Sequence, residues 1–210
     1  MLAWLFLLVM PPPLASAEMA AEKPLKVVVL GDSLSAGYGL PASAAFPARL
    51  QKALKEKGVD AEIVNAGVSG DTASGGRDRL DWSVPEDASA VIVELGANDG
   101  LRGIDPAVTK AALDDIITRL KARKIPVLLA GMLAGRNLGP DYTAQFDRIY
   151  PELAQKHGIT LYPFFLDGVA GEAKLNQADG IHPTAEGIDV IVTRILPVAE
   201  RFLAEVKQRH

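Results

Sequence analysis

Residues able to do chemistry fall in four glycine-marked segments: Gly31-Asp32-Ser33-Leu34-Ser35, Gly67-Val68-Ser69-Gly70-Asp71-Thr72, Gly96-Ala97-Asn98-Asp99-Gly100 and Asp179-Gly180-Ile181-His182-Pro183. A serine hydroxyl becomes a nucleophile when a base takes its proton, and a histidine oriented by a carboxylate is a common base. The first segment offers the hydroxyl of Ser33, and the last offers Asp179 and His182 three positions apart. In a turn, that spacing lets one loop carry both groups. Asp179 can accept from one ring nitrogen and leave the other free to take a proton. The two middle segments can bring N–H donors to charge developing on an acyl oxygen: the Gly70 amide, where a missing Cβ permits close approach, and the side-chain amide of Asn98.

Each segment also has a plainer explanation. Ser33 follows a strand-like run and can simply cap a helix. The middle segments are composed like ordinary turns, and Asp-Gly marks a turn wherever it occurs. Elimination narrows the choice. The chain has three His and no Cys, so thiol nucleophiles, disulfides and thiolate zinc sites are absent. His210 is the terminal residue, where chains commonly fray. His157 precedes Gly158 at an expected helix end, where an imidazole meets the helix dipole favourably. His182 is what remains as a base, and activity is expected to fall as acid protonates it.

Other reaction classes lack their signatures. Neither G-x-G-x-x-G after the first strand nor G-x-x-x-x-G-K-[ST] occurs, so the phosphate cradles of dinucleotide and P-loop enzymes are missing. No H-E-x-x-H or other His pair suggests a metal, and no G-x-S-x-G elbow suggests an ordinary α/β-hydrolase. A cofactor-free, metal-free site is therefore expected. A net charge of −4 argues against nucleic acid as a partner. A small ester or acyl substrate, with transient contact to lipid substrates and no obligate protein partner, suits the composition better.

These segments need elements to position them. Strands are expected over Leu25–Leu30, Ala61–Asn65, Ala88–Leu95, Ile125–Ala130 and Ile159–Phe164, and helices over Ala44–Lys57, Pro106–Arg123, Tyr142–His157 and Thr184–Val206, the last with a bend near Pro197. Alternation of β and α implies an α/β fold with a parallel sheet covered on both faces, and strands rich in Val, Ile and Leu suit such burial. Loops leaving the carboxyl ends of parallel strands share one rim, where ligands bind in open α/β folds. All four segments belong to that rim. Leu101, Ile104, Leu133, Leu138 and Ile181 lie near it and are expected to bind an acyl chain, unless they serve packing.

At the front, Met1–Met10 is apolar, Pro11–Pro13 interrupts it and Ala15-Ser16-Ala17 follows. The pattern predicts a signal peptide over residues 1–17, cleavage near Ala17, and export as a single domain over residues 18–210. The apolar run falls short of the roughly 20 residues that a spanning helix needs.

With all four segments placed, the sequence resembles the SGNH (GDSL) hydrolase family, in particular its multifunctional thioesterase, lysophospholipase and arylesterase branch. GDSLSAGYG from Gly31, NAGVSGDT from Asn65, VELGANDGLRG from Val93 and DGIHP from Asp179 carry the likeness. The resemblance implies a three-layer αβα, flavodoxin-like fold with five parallel strands in the order 2-1-3-4-5. It implies Ser33, Asp179 and His182 as catalytic residues, and an oxyanion hole from Gly70, Asn98 and the Ser33 amide. It also implies a metal-free site and a periplasmic location. Met132–Asp141 departs from the branch's best-known pattern, which has a Pro just ahead of the counterpart of Asn137 and an aromatic after it. A carbohydrate O-acetylesterase of the same fold is the alternative enzyme. A flavodoxin-like receiver using Asp32 and Asp99, or a ligand-binding module, is the alternative outside enzymes.

Overall fold

The computed structural model of the chain describes residues 23–209. The expected signal peptide and His210 lie outside the described residues. Strand β1 (Leu25–Gly31) carries the run Val27–Leu30, all fully buried. A β-branched and leucine run buried on both faces belongs inside a parallel sheet. It pairs there with β2 (Ala61–Gly67) on one side and β3 (Ala90–Glu94) on the other. Beyond β3 lie β4 (Val127–Ala130) and β5 (Thr160–Tyr162). All pairings are parallel and the order is β2-β1-β3-β4-β5, as expected from the resemblance.

That order dictates the layers. A crossover between parallel strands is right-handed, so connections running in opposite directions along the sheet place their helices on opposite faces. Helix α2 (Phe46–Glu56), on the β1-to-β2 step, packs against the C-terminal helix Ala185–Lys207, here α9. The steps in the other direction carry α3 (Ala73–Asp78), α6 (Pro106–Ala122) and α8 (Ile149–His157), with α6 touching both α3 and α8. Short helices occupy the rim: α1 (Ser33–Ala36) after β1 and α5 (Ala97–Leu101) after β3.

Proline accounts for most departures from the expected spans. The helix expected over Tyr142–His157 is two helices, α7 (Pro140–Asp147) and α8, separated at Arg148. Pro151 has no N–H for the Asp147 carbonyl four residues earlier, and its ring crowds that carbonyl. Pro126 likewise delays the start of β4, and Pro163 follows the end of β5. Pro197 does not end α9, which runs unbroken from Ala185 to Lys207. The third strand is shorter than expected, Ala90–Glu94 in place of Ala88–Leu95. His157 ends α8 ahead of a left-handed Gly158, and its Nε2 lies 2.5 Å from Asp114 Oδ1.

One buried cation ties the carboxyl ends of the strands together. Arg79 follows α3 and is 6 % exposed. It donates to the carbonyls of Gly31 (2.8 Å) and Ala66 (2.7 Å), to Asp71 Oδ2 (2.5 Å) and to Ser83 Oγ (3.0 Å). The planar guanidinium satisfies β1, β2 and the loop after β2 at once, which a lysine ammonium cannot do. Arg79→Met leaves Asp71 without its ion-pair partner and the Ala66 carbonyl without this donor. The expected loss in urea unfolding is about 3 kcal/mol, and Arg79→Lys should recover only a minor part of it.

Candidate active site

β1 sits between β2 and β3 and aims its end at the centre of the rim. Gly31 is required there: a Cβ on it would stand 2.1 Å from Ser35 Oγ and 2.8 Å from the Glu94 carbonyl. Sequence reasoning allowed Ser33 to be the cap of the following helix. The cap is Asp32, whose Oδ1 accepts from the Leu34 amide at 2.9 Å. Ser33 is instead the first residue of α1, so its amide belongs to the first-turn donors that have no intrahelical acceptor. Its hydroxyl is free of capping and points to the imidazole.

Ser33 Oγ lies 2.9 Å from His182 Nε2, and His182 Nδ1 lies 2.7 Å from Asp179 Oδ2. The other oxygen of Asp179 accepts from the amides of Ile181 (2.9 Å) and His182 (3.0 Å). These two amides, the His182 amide first, and then the ring hold the Asp179 carboxyl down to about 2. It is therefore ionised at neutral pH. An ionised acceptor at Nδ1 keeps the proton on that nitrogen and presents Nε2 as the basic atom.

The loop bearing His182 is fastened by residues that sequence reasoning missed. The Gln177 amide donates to the His182 carbonyl (2.7 Å), and Asn176 bridges to Pro183 in antiparallel fashion. Gln177 Nε2 donates to the Tyr38 carbonyl (2.8 Å) and the Pro183 carbonyl (3.0 Å), joining the His182 loop to the loop after α1. Gly39 accommodates this, since a Cβ there would stand 2.4 Å from Gln177 Oε1. The Tyr38 ring lies tilted over the imidazole with centroids 4.5 Å apart. A lone Gln in a loop carries no chemical signal, so only the fold reveals it.

Gly70 and Asn98 reach the same rim. Gly70 has φ of 85°, a left-handed conformation suited to glycine, and its carbonyl accepts from Arg102 at 2.8 Å. No acceptor for its amide is found among the described residues. Asn98 Nδ2 donates to Asp32 Oδ2 at 3.1 Å, which occupies one of its two amide hydrogens and leaves the other for a ligand. Asp32 is fully buried, and that burial raises its carboxyl to about 6 against the opposing hydrogen bonds from Leu34 and Asn98.

Asp71 and Asp99, without roles at first reading, acquire them here. Asp71 is the partner of Arg79. Asp99 is fully buried and accepts from the Ala73 amide (2.8 Å) and Thr109 Oγ1 (2.9 Å), pinning α3 and α6 to the rim. A sealed carboxylate of this kind cannot take a phosphoryl group from solution, which removes the support for a receiver.

An apolar cleft of about 150 Å³ adjoins α1, the helix that Ser33 begins. Leu101, Leu133, Leu138 and Ile181 line it, joined by Leu34, Met132 and Leu166. Ile104 does not line it: that residue turns its carbonyl to the Tyr142 hydroxyl at 2.8 Å. Asn137 and Gly135, from the segment Met132–Asp141, also border the cleft.

The arrangement has relatives. Residues 29–190 match the GDSL-like lipase/acylhydrolase family. The chain is 41% identical to "Esterase TesA" of Pseudomonas aeruginosa over 187 residues, which is 89% of this chain and 92% of that one. It is 41% identical to "Thioesterase 1/protease 1/lysophospholipase L1" of Escherichia coli strain K12 over 161 residues, 76% of each. Among solved structures, that of AlinE4, titled an SGNH-hydrolase family esterase, superposes with a TM-score of 0.73 at 44% identity, covering 88% of this chain and 99% of that one.

Removing the fastener tests its importance. Gln177→Leu should lower kcat by roughly 10-fold, because misplacing a reacting group by a fraction of an ångström is costly. Its melting temperature should stay within about 3 °C. Unchanged kcat would mean that the His182 loop holds itself in place.

Proposed function

Since the chain belongs to the GDSL-like lipase/acylhydrolase family and is an ester-bond hydrolase, we propose that Ser33, His182 and Asp179 carry out its chemistry. Ser33 Oγ attacks the acyl carbonyl carbon while His182 Nε2 takes the hydroxyl proton. The negative charge on the carbonyl oxygen is met by the Ser33 amide, the Gly70 amide and the Asn98 side chain. Collapse breaks the bond to the alcohol or thiol, which leaves with the proton from His182. Water then attacks the acyl-enzyme, His182 takes its proton and returns it to Ser33, and the carboxylic acid departs. Asp179 stabilises the imidazolium throughout without taking its proton.

The continuous chain from Ser33 Oγ through the imidazole to an ionised Asp179 is the observation that carries this reading. The apolar cleft beside Leu34 supports an acyl group longer than acetyl and speaks against a carbohydrate O-acetylesterase. Relatives named for esterase, thioesterase and lysophospholipase activity support acyl esters and thioesters as substrates. The A-x-A pattern at Ala15-Ser16-Ala17 supports export with cleavage near Ala17 and action in the periplasm.

Ser33→Ala should lose turnover by a factor on the order of a million while staying folded, and should fail to label with an organophosphate. Retained ester hydrolysis would move the nucleophile elsewhere. Asn98→Ala should lower kcat roughly 100- to 1000-fold with little change in KM, because its donor acts on the transition state. Along a series of p-nitrophenyl esters, the optimum should lie beyond acetate. Leu138→Trp should depress the longer esters by roughly 10-fold relative to acetate. An optimum at acetate in the unaltered protein would favour the acetylesterase.

A further inference from the structure

Glu94 is a charged residue type with 0 % exposure, at the end of a central strand directly beneath the nucleophile, and the mechanism makes no use of it. Its register partner is Gly31. Its Oε2 accepts from the Asp32 amide at 3.4 Å, while its Oε1 has no hydrogen-bond partner. Asp32, one residue before Ser33, is equally buried. Two carboxyls this close and this dry cannot both carry charge.

Burial and unequal partnering favour charge on Asp32. Asp32 accepts from the Leu34 amide and from Asn98 Nδ2, at 2.9 and 3.1 Å. Glu94 accepts one long bond, from the Asp32 amide, and although the Ser35 hydroxyl and amide also favour its charge, its Oε1 stays unpartnered. Four of the five Arg79 donors go to Gly31, Ala66, Asp71 and Ser83, and no bond from Arg79 to Glu94 is found among the described residues. From the other elements packed around this point come Ser35 of α1, Tyr150 of α8, whose hydroxyl donates to the Leu95 carbonyl, and Asp99 of α5, which adds negative charge near Asp32. His182 favours charge on Asp32.

We infer that Glu94 is a positioning residue held as a neutral carboxylic acid, leaving the single negative charge of the pair on Asp32, where it caps the nucleophile's helix and aims the Asn98 amide. The inference rests on the reading of Asn98 as an oxyanion donor. Burial first, then the Asp32 charge, hold the Glu94 carboxyl well above the usual carboxylate range, whereas Asp32 rises only to about 6. At neutral pH the two directions describe an acid beside an anion. An ionised Glu94 would compete with Asp32 for its position and repel the charge that develops on the substrate oxygen.

The test compares Glu94→Gln, which keeps shape and neutrality, with Glu94→Leu, which keeps neither acceptor. Glu94→Gln should hold kcat/KM within about threefold at pH 7 and remove a fall in activity on the alkaline side. Glu94→Leu should lower kcat roughly 100-fold with KM nearly unchanged. Stability supplies a readout separate from catalysis. A carboxyl with a raised folded-state value contributes stability that is fully present below its unfolded value and is lost as pH rises toward the folded one. The Gln variant lacks this loss, so its melting temperature relative to the unaltered protein should climb as pH rises above the ordinary carboxyl value near 4.3. Should the Gln variant lose as much activity as the Leu variant, the charge is on Glu94 and the inference fails. It also fails if the Leu variant keeps full kcat, or if the stability gap is flat with pH. An active Ser33→Ala protein would sink the proposed mechanism instead and leave the stability result standing. If Glu94→Leu does not fold, the Gln stability profile alone decides.

Discussion

Burying charge is costly, and the carboxyl rim of this sheet, around Ser33, is organised to meet that cost. Asp32, Glu94, Asp99 and Arg79 are all buried there. Each is a type that water would hold far better than a protein interior, so each must find partners. Arg79 finds carbonyls and Asp71, Asp99 finds a backbone amide and a hydroxyl, and Asp32 finds a helix start and an amide side chain. Three of these bonds, from Arg79 to Gly31, from Ala73 to Asp99 and from Asn98 to Asp32, join segments far apart in the chain. The polar groups that must be satisfied thus help to pin the segments of Ser33, Gly70 and Asn98 to one another.

Exposure rises outward from that layer. Ser33 is buried with 8 % exposure, while the Asp179 side chain is 38 % exposed. A carboxylate near solvent keeps its charge readily, and two backbone amides hold it lower still. A buried one keeps charge only with strong donors, as Asp32 does. The site therefore uses similar carboxyl groups in opposite ways, according to how much water and how many N–H groups each one meets.

The hydrophobic layers beneath do the placing. Val27–Leu30 and Val91–Val93 are almost wholly buried, so β1 and β3 cannot slide without exposing them. Their register sets Gly31 beside Glu94, and thereby brings Asp32 within reach of Asn98. On the other side, α9 packs against α2 and holds the loop that returns His182 to β1. Gln177 closes the gap by bonding to the Tyr38 carbonyl.

Much of this was legible from residue types. Alternating apolar strands and amphipathic helices specify a parallel α/β sheet, because burial on both faces demands that pattern. A sheet of that kind then forces Ser33, Gly70, Asn98 and His182 onto one rim, and counting His left a single base. Prolines such as Pro151 broke elements at points where helical periodicity continued, since a missing N–H outweighs the hydrophobic pattern. Tertiary structure alone decided that Asp32 and not Ser33 caps α1, that Ile104 does not line the cleft, and that Gln177 holds the His182 loop. It alone disclosed Glu94 and Asp32 as a buried pair. Which of two acids keeps a charge depends on desolvation and on donors brought from distant parts of the chain, and no local pattern of residues encodes either.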